Sequence, residues 1–132
     1  MCLAKLDYVN RLPETCFGIG YKVCLNHGNH IYESLFVGNN APMREGMWFD
    51  EKAFRYPVLQ KTPDLYHCVD DRGSPYPLGF HIYTRYEDAL AICGRPGRLA
   101  ILLVNYTGVV ATGVEVDAPV VVAKEMKILA EL

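Results

Sequence analysis

The sequence predicts an α+β fold: a strand-rich single domain with mostly antiparallel sheet and one central helix after residue 84. Three observations lead to this prediction. The chain has 132 residues, the size of one ordinary domain. Runs of β-branched and aromatic residues recur between turn residues along most of the chain. Residues 85–93 combine a capping pattern with apolar positions at helical spacing.

A β-hairpin is predicted in the first third of the chain. Residues 19–25 are rich in β-formers, the Asn-His-Gly-Asn turn at 26–29 tolerates positive φ, and residues 30–37 resume strand character. Met-Trp-Phe at 47–49 has turn or strand potential. Prolines interrupt the pattern between residues 50 and 71, which predicts the largest irregular region of the chain. Long loops of this kind often carry function.

Signals at both ends place the helix. Residues 78–83 are predicted to form a short strand, and Thr84 follows it. Glu87 lies three residues after Thr84, which completes the Thr-x-x-Glu pattern of a capping box. We therefore expect Thr84 to be the N-cap of a helix over residues 85–93. Gly94 and the Pro-Gly pair at 96–97 end that helix.

The last third of the chain is rich in strand formers. Residues 99–104 are a continuous apolar run of strand length, which is typical of the centre of a sheet. Residues 109–116 and 119–123 are two further predicted strands. Residues 124–130 fit either a terminal helix or a final strand.

Composition and charge exclude several classes of function. Hydrophobic residues make up 51% of the chain and charged residues 21%, which is typical of a globular protein and argues against disorder. The net charge of −2 argues against a general electrostatic attraction to nucleic acid or to an anionic membrane. Five cysteines without Cys-x-x-Cys spacing, and an N-terminus that lacks a signal peptide, predict reduced thiols in a cytoplasmic protein.

The stretch Gly79 to Thr84 holds the densest cluster of unusual residues. His81 interrupts an apolar strand, and Tyr83 projects from the same face two residues later. Imidazole titrates near neutral pH and both donates and accepts hydrogen bonds. A half-buried His81 bonded to a neighbour is the alternative interpretation. We predict a binding site that comprises His81, Tyr83, Thr84, Tyr21 and Arg85.

Other candidates are weaker. His27 and His30 have His-x-x-His spacing, but they lie in a turn without a supporting ligand set, so no metal site is predicted. His67 and Cys68 are adjacent and point to opposite faces of a strand, which favours a buried structural cysteine. Gly-Ile-Gly at 18–20 lacks the rest of a phosphate-binding motif and is interpreted as the geometry of strand entry. Arg95 and Arg98 follow the helix and could contact a phosphate or a carboxylate, but we interpret them as solvated surface residues.

The stretch YPLGFHIYTRYEDAL, Tyr76 to Leu90, resembles the central motif of ADP-ribosyltransferase-like folds. In that superfamily a glycine- and aromatic-bearing strand leads into a helix, and NAD lies in a cleft between two sheets. Tyr83 and Thr84 match the middle catalytic position. Lys22 stands near the early position that carries His or Arg, and Glu125 is the late glutamate candidate. The resemblance implies an NAD-using enzyme with Glu125 or His81 as the polar catalyst.

The overall layout is also similar to small proteins encoded by bacteriophages. The shared stretches are Gly20 to Val23, Gly79 to His81 and Val121 to Met126. This resemblance implies a viral accessory protein in the host cytoplasm that blunts host defence by binding a host protein or a nucleotide signal. We expect binding without a cofactor, with the NAD-using enzyme and a structural or virion-associated domain as alternatives.

Overall fold

Strands make up most of the chain that the structure describes. The structure is a computed structural model, and it describes residues 3–9, 17–34, 42–51, 67–94 and 98–132. Most of the predicted irregular region and the end of the predicted strand 30–37 lie outside these residues. In chain order the elements are β1 Lys5–Val9, β2 Phe17–Asn26, β3 Ile31–Ser34, β4 Met43–Arg44, β5 Trp48–Asp50, β6 His67–Val69, β7 Pro75–Pro77, β8 Phe80–Tyr83, α1 Tyr86–Cys93, β9 Leu99–Glu115 and β10 Ala118–Glu131.

The predicted hairpin in the first third is confirmed. β2 and β3 pair antiparallel, with Asn26 opposite Tyr32. The loop between them uses positive φ at Gly28, Asn29 and His30, as the glycine- and asparagine-rich turn predicts.

β9 and β10 form one long hairpin that the sequence divided into shorter pieces. Residues 105–108 continue β9 rather than ending a strand, and residues 124–130 belong to β10 rather than to a helix. The register shift between Val122 and Ala123 leaves Val110 as the extra residue of β9, so the strand continues through a bulge, and Gly108, at φ +68°, lies beside the bulge opposite Lys124. Val116 and Asp117 make the two-residue turn, both at positive φ, which is the geometry of a type I′ hairpin.

Four strands close a ring of hydrogen bonds. β9 pairs with β2 and with β10, β10 pairs with β8, and β8 returns to β2 through the pair Tyr21 and Tyr83. β1, β3, β4 and β5 extend this sheet, and β6 pairs with β7 in a separate small sheet. The strand pairs of both sheets are antiparallel. The central position predicted for residues 99–104 is confirmed.

Apolar side chains pack on both faces of the ring. The first core cluster comprises Cys24, Tyr32, Met43, Phe80, Ile82, Ala100, Leu102, Val104, Ala123, Met126 and Ile128. The second core cluster comprises Leu3, Val23, Tyr76, Tyr83, Ala89, Ile101, Ala111, Ala118, Val120 and Val122. Because β8 has a core on each face, residues of both parities along it are largely buried.

The helix starts one residue later than predicted, and its predicted cap is wrong. The N-cap is Arg85, and its side chain makes no capping hydrogen bond within the described residues. The Thr84 hydroxyl instead donates to the Pro119 carbonyl at 3.5 Å, because β8 is still held against β10 at this point. Gly94 ends the helix at φ +54°, as predicted.

The coarse fold prediction is confirmed: a strand-rich chain with mostly antiparallel sheet and a single short helix among the described residues. Within the same residues, no helix has both the length and the apolar character that crossing a bilayer requires.

Candidate functional site

The predicted site residues His81 and Tyr83 share one face of β8. They lie opposite Val122 and Val120 of β10, and both valines belong to the second core cluster. This face is covered, since Tyr83 is only 4% exposed and the His81 ring is largely buried. The shared face was predicted correctly, and it points into the protein interior.

Hydrogen bonds fix His81 in place. Its Nε2 lies 3.1 Å from the Tyr76 hydroxyl, which accepts a hydrogen bond from the Leu3 backbone N–H at 2.7 Å. Burial lowers the pKa of His81 to about 3, and the charge of Lys22 acts in the same direction. The imidazole is therefore neutral near physiological pH. This matches the alternative interpretation of a buried histidine bonded to a neighbour.

A second group of interior polar side chains surrounds Tyr83. Its hydroxyl donates to Glu115 Oε1 at 2.7 Å, and Glu115 is 2% exposed. The Lys22 ammonium donates to the His81 carbonyl at 3.0 Å. Burial lowers the pKa of Lys22, while the nearby Cys24 and Glu115 act against that shift. We call Lys22, Tyr76, His81, Tyr83 and Glu115 the interior network.

The remaining predicted site residues lie beside the network, toward the surface. Tyr21 pairs with Tyr83 across β2 and β8, and its ring meets Tyr86 edge-on at 5.7 Å. Arg85 is exposed, and its guanidinium donates two hydrogen bonds to Asp88, at 2.7 and 3.2 Å. With Thr84 bonded to the Pro119 carbonyl, these residues have partners within the protein.

Farther along β2, the same face of the sheet carries a different arrangement, because Phe17 and Ile19 alternate in phase with Tyr21, the partner of Tyr83. The register places Phe17, Thr107, Glu125 and Asp50 in one row across four strands. The next row of the same face is Ile19, Asn105, Lys127 and Trp48. Directly opposed residues of antiparallel strands share a face. We call these eight residues the trough.

The trough has apolar walls and a polar floor. The walls are Phe17 and Ile19 of β2, which are 76% and 61% exposed, and Trp48 of β5, which is 49% exposed. The central strands β9 and β10 contribute the floor, whose four polar side chains are half-buried: Asn105, Thr107, Glu125 and Lys127. Phe17, Trp48, Asn105 and Thr107 line an open cleft of about 230 Å³. Exposed aromatic groups around a few polar ones are the usual composition of a ligand site.

Two glycines explain why the aromatic wall of β2 faces outward. A Cβ at Gly18 would lie 2.6 Å from the Tyr106 hydroxyl oxygen, and one at Gly20 would lie 2.5 Å from Ile82 Cγ2. A Cβ at Gly20 would also lie 2.9 Å from the Tyr83 carbonyl oxygen, so only glycine fits at that position, and the glycine face of β2 is the inner one. The alternating Gly-x-Gly therefore directs Phe17 and Ile19 to the outside.

One polar atom of the floor has no partner within the described part of the chain. Asn105 Oδ1 is buried and accepts no hydrogen bond from the described residues. A buried unpaired carbonyl oxygen costs about 1–3 kcal/mol. Rotation of the amide toward a ligand that donates a hydrogen bond removes this cost.

The weaker sequence candidates do not form a site. His27 Nε2 lies 2.6 Å from Glu33, and His30 Nδ1 lies 3.5 Å from Glu45. Among the described residues, no three potential ligands cluster for a metal ion. Burial raises the pKa of the Cys24 thiol to about 11. Arg95 and the side chains of His67 and Cys68 lie outside the described part of the chain.

Comparison with protein-family models, with curated proteins and with solved structures finds no match to this chain. The assignment of a site therefore depends on geometry. Sequence reasoning missed the trough residues, although Glu125 was named for another role. The available signal was the alternation of Gly18 and Gly20 with large apolar residues.

Proposed function

We propose that this protein acts by binding, without catalysis, and that its ligand is a small nucleotide. The base lies in the trough between Phe17 and Trp48. One observation carries the proposal: exposed aromatic walls stand over a floor of half-buried polar side chains. A solvated face of an antiparallel sheet is commonly polar and a core face commonly apolar. This face instead has exposed apolar side chains on its outer strands and half-buried polar ones between them, which is the composition of a ligand site.

The size of the cleft favours a single base. Three strand spacings separate β2 from β5, which is about 14 Å between backbones. The Phe17 and Trp48 side chains reach into this space from both sides. The cleft volume of about 230 Å³ lies below the ~300–1,000 Å³ that encloses drug-sized ligands. A flat base fits, with its sugar and phosphate outside, whereas a whole dinucleotide does not.

Charge favours a free nucleotide over a nucleic-acid strand. Binding a polymer depends on a basic surface along the phosphates, but the chain has a net charge of −2. The trough itself holds Asp50, Glu125 and Lys127, a balance of −1. Aromatic stacking contributes about 1–3 kcal/mol per base without any need for a basic surface. In the phage setting that the sequence resemblance implies, such a protein would sequester a nucleotide signal of the host.

A second candidate function rests on the hydrogen bond of Tyr83 to Glu115, with Lys22 near enough for the charge of Glu115 to act on it. They come from an early, a middle and a late strand, as the catalytic groups of ADP-ribosyltransferase-like folds do, with Glu115 in place of the expected Glu125. Their exposed fractions of 4%, 4% and 2% leave no path for NAD. We therefore rank this enzyme second.

Calorimetric titration tests the proposed function. Nucleoside monophosphates of all four bases, and NAD, are titrated into the wild type and the variant Trp48→Ala. We expect at least one monophosphate to bind the wild type and to bind Trp48→Ala about 10- to 100-fold more weakly, the range that loss of one stacking partner gives. Tyr86→Ala is the control, because it removes an exposed aromatic ring that is not one of the eight trough residues.

Two results would oppose the proposal. Binding that Trp48→Ala leaves unchanged would place the site elsewhere. Binding of NAD alone, abolished by Tyr83→Phe, would favour the enzyme.

A further inference from the structure

The floor of the trough presents one charge of each sign from a single strand. Glu125 and Lys127 are two residues apart on β10 and are both half-buried. They are the register partners of Thr107 and Asn105, which line the cleft together with Phe17 and Trp48. Two residues along a strand correspond to about 7 Å. Glu125 faces Thr107 and Asp50, whereas Lys127 faces Asn105 and Trp48. The floor therefore has an acceptor end and a donor end.

We propose that the trough selects guanine, with Glu125 on the edge that bears N1–H and the 2-amino group, and with Lys127 on O6 and N7. This inference rests on the proposed function and names the base. An ionised carboxylate only accepts hydrogen bonds, and its two oxygens match two neighbouring N–H donors. An ammonium only donates, and O6 with N7 is the acceptor pair that lysine contacts in guanine.

The other bases fit this floor less well. Adenine has an acceptor at N1 where guanine has a donor, so its edge would set a lone pair against the Glu125 carboxylate. Adenine also has an amino group at C6, which would meet the Lys127 ammonium donor to donor. Hypoxanthine keeps O6 and N1–H but lacks the 2-amino group. It should therefore bind with intermediate affinity.

Asn105 supports the same ligand. It lies directly opposite Lys127 on β9, and its unpaired oxygen accepts no bond from the described residues. An amide offers a donor and an acceptor, so after rotation it can follow a purine edge beside Lys127. Thr107 is placed in the same way beside Glu125, with a hydroxyl that donates and accepts.

Competition among three nucleotides tests this inference. Titration of the wild type with GMP, IMP and AMP should give affinities in that order, with GMP at least 10-fold tighter than AMP. Glu125→Gln should weaken GMP binding about 10-fold or more and remove most of the preference over AMP. Glu87→Gln, an exposed carboxylate on α1, should change neither affinity nor preference.

The outcomes separate the inference from the proposed function. If AMP binds as tightly as GMP and both depend on Trp48, the choice of guanine is wrong and the nucleotide site stands. If Glu125→Gln keeps the same preference for GMP over AMP as the wild type, the assigned role of Glu125 is wrong. If none of the three nucleotides binds, the inference falls, and the proposed function falls with it when the two pyrimidine monophosphates also fail to bind. Melting curves of each variant establish that it is folded.

Discussion

The interior network and the trough are both polar groups on one sheet, and they differ in what their atoms face. In the network, Tyr76, His81, Tyr83 and Lys22 bond within the protein. In the trough, polar side chains lie under exposed aromatic rings, and Asn105 Oδ1 has no partner among the described residues. Glu115 Oε2 of the network also lacks a partner among the described residues, so an unpaired atom alone does not separate the two regions. Exposure does: the network side chains are buried, whereas the exposed Phe17, Ile19 and Trp48 border the trough.

The same contrast applies to the energetics. Removal of a polar group that has a hydrogen bond destabilises the protein, because the former partner stays buried and unpaired. Replacement of a buried polar group that has no hydrogen bond by an apolar residue of similar shape stabilises the protein. Sites kept for binding commonly carry such a cost. The two regions should therefore respond to mutation with opposite signs.

The largest expected effect is acid destabilisation through His81. Its pKa is about 3 in the folded protein and about 6.5 in the unfolded chain. The unfolded chain binds the proton over that interval, so stability is present above about pH 6.5 and is lost as the pH falls toward 3. Between about pH 6.5 and about pH 4.5 the loss should approach 2–3 kcal/mol.

Urea unfolding at several pH values, with His81→Gln for comparison, measures this loss. Glutamine can bond to Tyr76 but does not titrate, so the variant should lack this part of the pH dependence. Identical slopes for both proteins would show that His81 is not the buried neutral group described above.

Tyr83→Phe should have the next largest effect. It removes the hydrogen bond to Glu115 Oε1 and leaves a buried carboxylate without that donor. We expect a loss of about 2 kcal/mol in the free energy of unfolding, with nucleotide affinity unchanged at a temperature where the variant is folded. Tyr86→Phe, which removes a hydroxyl from a part-exposed ring, should stay within about 0.5 kcal/mol. Equal effects of the two variants would contradict the role of the network.

Asn105→Val should act in the opposite direction. Valine keeps much of the shape, suits a strand, and removes the unpaired oxygen. The free energy of unfolding should rise by about 1 kcal/mol, and nucleotide binding should weaken at least 10-fold. A destabilised variant would mean that the amide is already satisfied in the folded protein.

The smallest expected effect comes from Val116→Asn, which tests whether added stability by itself changes nucleotide affinity. Val116 is 78% exposed at φ +47°, a conformation that is strained for a β-branched residue. Val116→Asn should add about 0.5–1 kcal/mol, since asparagine is favoured at this turn position. Thermal unfolding measures the gain, and the affinity for nucleotide should not change. Weaker binding in this variant would show that a gain in stability by itself lowers nucleotide affinity, and the effect of Asn105→Val could then not be assigned to the amide.

Local chemistry explains which parts of the fold could be predicted. The turn at 26–29 and the end of the helix at Gly94 depend on positive φ, which glycine and asparagine reveal in the sequence. The cap at Thr84 failed because a tertiary contact with Pro119 took its hydroxyl. Residues 105–108 contain polar groups and a glycine, and their place in β9 depends on neighbours on both sides.

The site was harder to predict than the fold. His81 and Tyr83 stood out because they are polar in an apolar run, yet burial by β10 and Tyr76 makes them structural. The trough draws two residues from each of four strands, of which only β9 and β10 are consecutive in the chain. Pairing register alone brings Phe17, Asn105, Lys127 and Trp48 together. Without that register, each of them resembles an ordinary strand residue.

The fluorescence of Trp48 tests the central claim most directly, because it is the only tryptophan in the chain and it forms a wall of the trough. GMP is titrated while the emission is recorded, for the wild type and for Phe17→Ala. We predict saturable quenching in the wild type, at a midpoint that agrees with calorimetry, and a midpoint about 10-fold or more higher in Phe17→Ala. Calorimetric binding of GMP with no change in Trp48 emission would contradict a nucleotide site in the trough.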